Sequence, residues 1–248
     1  MPIKITIDET LPDAFYKFTS AERAIEIVKN KQLWFSSPKN FNDPFDCNIN
    51  LIDFQPSEEQ IKTVINEKVQ RNRKTRRQEI QKNKRNAYRI RNQFAEQLNE
   101  MFQNSGICCF SEKYENILLW SHYAENHRGI CLGFNRGISK IATMSGKVQY
   151  RDNYEKALFF GMKGEAIYHL VFTKSKDWSY EQEIRAVRIL SNGKTDFDIC
   201  HLTEIIFGCK TEKSVIQEMK KIIFNLGTTH INFKQAKQTK SSFNLSFE

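Results

Sequence analysis

The chain has 248 residues, 40% of them hydrophobic and 12% aromatic with 19 Phe, and carries a formal net charge of +9. That much apolar material builds a core and excludes a globally disordered chain, while no run approaches the roughly 18 apolar residues of a membrane helix. The opening MPIKITIDETLPDAF has no basic stretch followed by an apolar one, so a cytoplasmic protein is expected.

In chain order, AFYKF (14–18) reads as a short strand, followed by a helix over AERAIEIVKNK that Ser20 can cap. LWFSS (33–37) reads as a second strand. PKNFNDPFD then supplies Pro, Asn and Asp for a shaped loop. From Ser57 to Gln103 there is neither Pro nor Gly, which predicts a long helical stretch, broken in two. Its ends carry apolar residues, Val64, Ile65 and Val69 at one and Ile90, Phe94, Leu98, Met101 and Phe102 at the other. The middle is basic and offers little to bury. GICCFS (106–111) reads as a buried strand, 116–126 as a helix, ICLGF (130–134) as another buried strand and KVQY (147–150) as a short one. Residues 154–172 read as mostly helical. WSYEQEIRAVRIL (178–190) reads as a loop entering a strand, EIIFG (204–208) as a strand, SVIQEMKKIIFNL as an amphipathic helix, and INFKQAK and SFNLSFE as closing strands. The fold class is α+β: short-stranded mixed or antiparallel sheets flanked by helices, with one core domain over 1–56 and 105–248 and a basic helical insertion over 57–104. Neither GxGxxG nor a Walker lysine motif occurs.

The charge is concentrated. Lys68, Arg71, Arg73, Lys74, Arg76, Arg77, Lys82, Lys84, Arg85, Arg89 and Arg91 face a single acid, Glu79, so this segment carries +10 and the remainder about −1. Such a stripe attracts phosphate backbones, and nucleic acid or a ribonucleoprotein is the expected partner. Tyr88 and Phe94 are the only aromatics nearby, so backbone contact is favoured over base stacking. The six cysteines lack zinc-site spacing and read as reduced thiols, and no metal is predicted.

Three stretches carry groups suited to chemistry. In LLWSHYAENHRGICLGF, Ser121 and His122 are adjacent, so on a helix their side chains diverge by about 100° and form no local dyad. His127 reads as a helix-end cap or a core-edge hydrogen bonder. In WSYEQEIRAV an extended chain would put Glu181, Glu183 and Arg185 on one face, either as an internal ion pair or as a catalytic carboxylate held by a neighbour. Asp43 and Asp46 lack EF-hand spacing and read as turn formers. Together with Glu181 and Glu183 they also leave open a metal-dependent nuclease.

Five stretches, YKFTSAERAIEIVKNKQLWFSSPKNFNDPFD, ICCFSEK, LLWSHYAENHRGICLGF, DWSYEQEIR and IIFGCK, resemble in order the bacterial domain of unknown function DUF2971. The basic insertion is not part of that pattern, and the family assigns no activity. The order of elements is also similar to an ADP-ribosyltransferase fold. That resemblance implies NAD as co-substrate, Glu183 as catalytic glutamate with Glu181 as its partner, and Tyr123 stacked on nicotinamide. It implies Ser111 or Ser121 supporting Glu183, and Tyr16-Lys17 at the first-strand position that grips diphosphate. Lys17 stands where better-known branches have His or Arg, and His122 or Arg185 are the alternatives for that role. With the basic insertion, the resemblance implies a toxin or phage-defence effector acting on nucleic acid or a ribonucleoprotein. A non-catalytic nucleic-acid-binding or sensor protein of the same fold is the alternative.

Overall fold

The structure, a computed structural model, describes residues 11–55, 87–160 and 163–248, together with Gln78 and Lys82. Numbering the described elements along the chain gives strands β1 (Ala14–Thr19), β2 (Gln32–Phe35), β3 (Ile52–Asp53), β4 (Gly106–Ser111), β5 (Ile130–Asn135), β6 (Met144–Lys147), β7 (Gln149–Arg151), β8 (Ala157–Leu158), β9 (Thr173–Ser175), β10 (Glu183–Arg188), β11 (Gly193–Asp196), β12 (Leu202–Phe207), β13 (Asn232–Gln238) and β14 (Leu245–Phe247). The helices are α1 (Ala21–Asn30), α2 (Ala87–Gln103), α3 (Ile117–Tyr123), α4 (Lys163–Phe172) and α5 (Lys213–Asn225). The architecture is α+β. Eight strands form one sheet in the order β14-β13-β12-β5-β1-β4-β10-β6, antiparallel except between β12 and β13.

Alternation along the strands divides the core. Phe15, Leu132, Phe134, Ile184 and Ala186 face α1 and α5, packing with Val28, Met219 and Ile223. On the other face, α2 and α4 cover β4 and β10 through Leu98, Phe102, Ile107, Leu170, Phe172 and Val187. There too, Trp120 of α3 and Ala124 at its C-terminal cap pack on Cys131 and Ile206 of β5 and β12. A gap remains between these two packs. It lies where β1, paired with β5 along its whole length, meets β4 at the single register pair Tyr16–Ser111.

Ser20 caps α1 as its sequence implies, its Oγ accepting from the Arg23 N–H at 3.2 Å. Elsewhere local sequence is overridden by packing. The helix expected over 116–126 stops at Tyr123, and Glu125, Asn126 and His127 all have positive φ. The loop after β12 holds that turn, with the Lys210 N–H donating to the His127 carbonyl at 3.0 Å and the Gly208 N–H to Gly129 at 3.1 Å. The helix expected over 154–172 occupies only Lys163–Phe172, since Ala157–Leu158 pairs with β3. KVQY splits between β6 and β7, because the Val148 N–H turns to the Glu183 carbonyl. Residues 178–181, expected as loop, belong to 3-10 turns over Lys176–Glu181.

Of the segment 57–104, expected as a basic insertion, α2 is described, and it packs into the core through Leu98 and Phe102. Lys82 is helical and exposed, and Arg89 and Arg91 lie on α2. Lys68, Arg71, Arg73, Lys74, Arg76, Arg77, Lys84 and Arg85 lie outside the described residues. Among the described residues no helix is long and apolar enough to cross a membrane.

Candidate active site

Strand register builds the site. Tyr16 pairs with Ser111, and Ser111 with Glu183. Antiparallel partners project to the same side, so these three form one row on the face carrying the gap. Gly133 continues the row beyond Tyr16. A Cβ there would meet the Tyr16 ring at 3.0 Å, so its absence lets the phenol cross to Glu204, donating to Oε2 at 3.3 Å.

Glu181 reaches the same place by a different route from the one its spacing suggests. It closes the 3-10 turns, and Gln182 with φ 45° turns the chain before β10 begins. Ser111 Oγ donates to the Glu181 carbonyl at 2.7 Å, and the Glu112 N–H to the Gln182 carbonyl at 2.9 Å. These bonds fix the turn against β4.

Lys174 on β9 joins the two carboxylates. Its Nζ donates to Glu181 Oε2 at 2.5 Å and Glu183 Oε2 at 3.1 Å, and stands 4.9 Å from the centre of the Trp178 ring. Behind Glu183, Arg185 is wholly buried. Its Nε donates to Glu183 Oε1 at 2.8 Å, and Nη1 and Nη2 donate to the two Asp46 oxygens at 2.8 and 2.6 Å. Nη1 also reaches the Val171 carbonyl at 2.6 Å. A guanidinium out of water needs this saturation, because unpaired burial of a charge costs several kcal/mol.

The environments of the two carboxylates differ. Burial raises the Glu183 carboxyl, but Arg185 and then Lys174 outweigh it and hold the group well below the usual carboxylate range. Burial also raises Glu181, and there Lys174 and the Tyr123 hydroxyl only partly oppose it, so the group stays above its ordinary value. Tyr123 donates to Glu181 Oε1 at 2.6 Å, and its own ionisation is pushed far up by burial and by that carboxylate. Lys174 is held protonated well above its usual range: its burial opposes this, and Glu183 and Glu181 prevail.

A cavity of about 290 Å³ opens here. Tyr16, Lys17, Ser111, Tyr123, Glu181 and Glu183 all line it, with Phe41, Asn42, Asp46 and Lys174. Lys17 sits in the gap between β1 and β4, its Nζ donating to the Cys109 carbonyl at 3.2 Å. The structure does not bring the remaining candidates to this cavity. Arg185 lies behind Glu183. Ser121 turns to His127, with Oγ and Nε2 3.0 Å apart. The His122 ring lies 6.3 Å from both the Tyr123 and Tyr180 rings, outside the lining.

Residues 119–186 match the model of one protein family, described as a protein of unknown function (DUF2971). No curated protein and no solved structure matches the chain. The matched segment contains Tyr123, Lys174, Glu181, Glu183 and Arg185, while Tyr16, Lys17, Asp46 and Ser111 enter the site from outside it.

Sequence reasoning passed over Lys174, which stands alone in FTKS with no pattern to mark it. It also set Asp46 beside Asp43 as a turn former. Asp43 is one, its Oδ1 accepting from the Phe45 N–H at 2.9 Å. Asp46 is instead the Arg185 counter-ion. Among the described residues no group of three or more His, Cys, Asp and Glu is placed to hold a metal ion.

Proposed function

We propose that the cleft is the active site of an ADP-ribosyltransferase-like enzyme that breaks the nicotinamide–ribose bond of NAD. One observation carries the reading: two carboxylates in one cleft, their ionisation driven in opposite directions, beside an aromatic wall and a lysine. Carboxylates pushed apart in this way divide electrostatic from proton-transfer roles.

In this reading the C1′–N1 bond breaks and both its electrons leave with nicotinamide, neutralising the pyridinium. Positive charge develops on the ribose, and ionised Glu183 faces it. The acceptor's electron pair forms the new bond to C1′, and its proton passes to the Glu181 carboxylate, whose proton affinity is raised above the ordinary carboxylate value. The Tyr123 ring supports the flat leaving group and its hydroxyl holds Glu181. Lys17 offers a cation to the phosphates. The cavity is at the small end of ligand sites. At about 290 Å³ it would take only part of an NAD molecule. The fold, in the same reading, is ADP-ribosyltransferase-like, and the basic segment over 68–91 recruits a nucleic-acid or ribonucleoprotein acceptor, as a toxin or phage-defence effector requires.

The test is chromatography of NAD incubated with the purified full chain. Nicotinamide release is expected, abolished by Glu183→Gln and kept at its basal rate when residues 68–91 are deleted. A chain that leaves NAD intact but binds nucleic acid with steep salt dependence, unaffected by Glu183→Gln, is a binding protein instead.

A further inference from the structure

The geometry points to Lys174 as the positioning residue of the carboxylate pair: its ammonium bridges Glu181 and Glu183 and fixes which of them exchanges a proton. The inference rests on the reading of the cleft as a glycosyl-transfer site.

Two carboxylates this close cannot both ionise without a cation between them. Arg185 cannot serve both. Its donors are spent on both Glu183 oxygens, Asp46 and the Val171 carbonyl, and it makes no bond to Glu181. Among the described residues Lys174 alone reaches both, with Asp46 further off at 3.8 Å. A lysine suits the place, since a compact ammonium with three donors can satisfy two carboxylates that are not coplanar.

The bridge is asymmetric. Glu183 has two cations, Lys174 and Arg185, and its N–H is anchored on the Tyr150 hydroxyl at 2.8 Å. Around Glu181 stand one cation, Lys174, the Tyr123 hydroxyl, the negative Glu183 and the Tyr180 ring on the same turn. Taking the Lys174 charge away therefore leaves Glu183 paired with Arg185 and leaves Glu181 with no cation beside it among the described residues. Glu181 then holds a proton to higher pH. Since Glu181 must be ionised to accept the acceptor's proton, the acid limb of turnover moves up with it.

Lys174 is also seated for the purpose. Its side chain is 8% exposed, and β9 is fixed by parallel pairing with β7 and by the 3-10 turns that follow. The Trp178 ring under Nζ, itself in those turns, holds the ammonium between the carboxylates.

The experiment measures the pH profile of nicotinamide release for the wild type, Lys174→Met and Lys174→Arg. In parallel, the Glu181 carboxyl is titrated by carbon-13 NMR in glutamate-labelled protein, with Glu181→Gln identifying the signal. Lys174→Met is expected to raise the acid limb and the Glu181 midpoint by about one to three pH units. Lys174→Arg, which keeps the charge, is expected to leave both near wild type. A uniform loss of rate with neither midpoint moved would make Lys174 a merely structural group and overturn the inference. So would Lys174→Arg shifting the midpoints upward, the decisive comparison if Lys174→Met folds poorly. If the wild type releases no nicotinamide, the glycosyl-transfer reading fails, and the Glu181 titration alone then decides whether Lys174 governs the pair.

Discussion

The two ends of one ion network are built for different work. At the sealed end, Arg185, wholly buried behind the cavity wall, donates to both oxygens of Asp46 and both oxygens of Glu183 in a closed set of charge-assisted bonds. At the open end, Glu181, Lys174 and Tyr123 use the same kinds of bond at the wall of a cavity. The sealed end tolerates no loss of a partner, because a buried charge would be stranded. A group left unpaired at the open end can turn to water or ligand. Similar bonds thus give a scaffold on one side and adjustable chemistry on the other.

The contrast breaks first, and by the largest amount, at Arg185. Arg185→Met strands Asp46 and Glu183 and should cost about 3–5 kcal/mol in urea unfolding. The open-end substitution Tyr123→Phe removes a single hydrogen bond and should cost about 1 kcal/mol. Equal costs would erase the distinction between the ends.

Acid sharpens it next. Glu183 has a folded-state ionisation below its unfolded one, so its contribution is present above the ordinary carboxylate range. That contribution is lost as pH falls through that range towards the depressed folded value. Glu181 has the opposite sign: the folded state holds its proton more tightly, so its contribution weakens as pH rises through the ordinary range. Glu183→Gln should flatten the acid-side decline in stability, and Glu181→Gln should remove a loss on the neutral side. Urea midpoints measured from pH 3 to 7 separate the two, and parallel curves for both variants would contradict the assignment. The smallest effect is expected at His122, outside the cavity, where His122→Ala should change turnover by less than about twofold and stability by within about 0.5 kcal/mol.

Local pattern reached the individual elements well. The Ser20 cap, the β1, β4 and β5 strands and the α5 helix follow from caps and periodicity in their own residues. The row Tyr16–Ser111–Glu183 was not legible, because it depends on register between strands that lie about 70 to 95 positions apart in sequence. Glu181 shows a subtler gap. Period-two spacing suggested a shared face with Glu183, and both do reach one ammonium, but through a left-handed Gln182 rather than an extended chain. Lys174 and Asp46 acquire meaning only from the charges that surround them in space. Ser121 and His127 are a pair that spacing along a helix could not join, since the left-handed turn over 125–127 is imposed by the loop at 208–211.

The sharpest single measurement is the rate of nicotinamide release from NAD by folded Glu181→Gln protein beside the wild type. The wild type should release nicotinamide, and the variant should be slower by about 10²-fold or more, with a urea midpoint at neutral pH no lower than that of the wild type. Equal rates, or no release by the wild type at all, would contradict the assignment of chemistry to the open end.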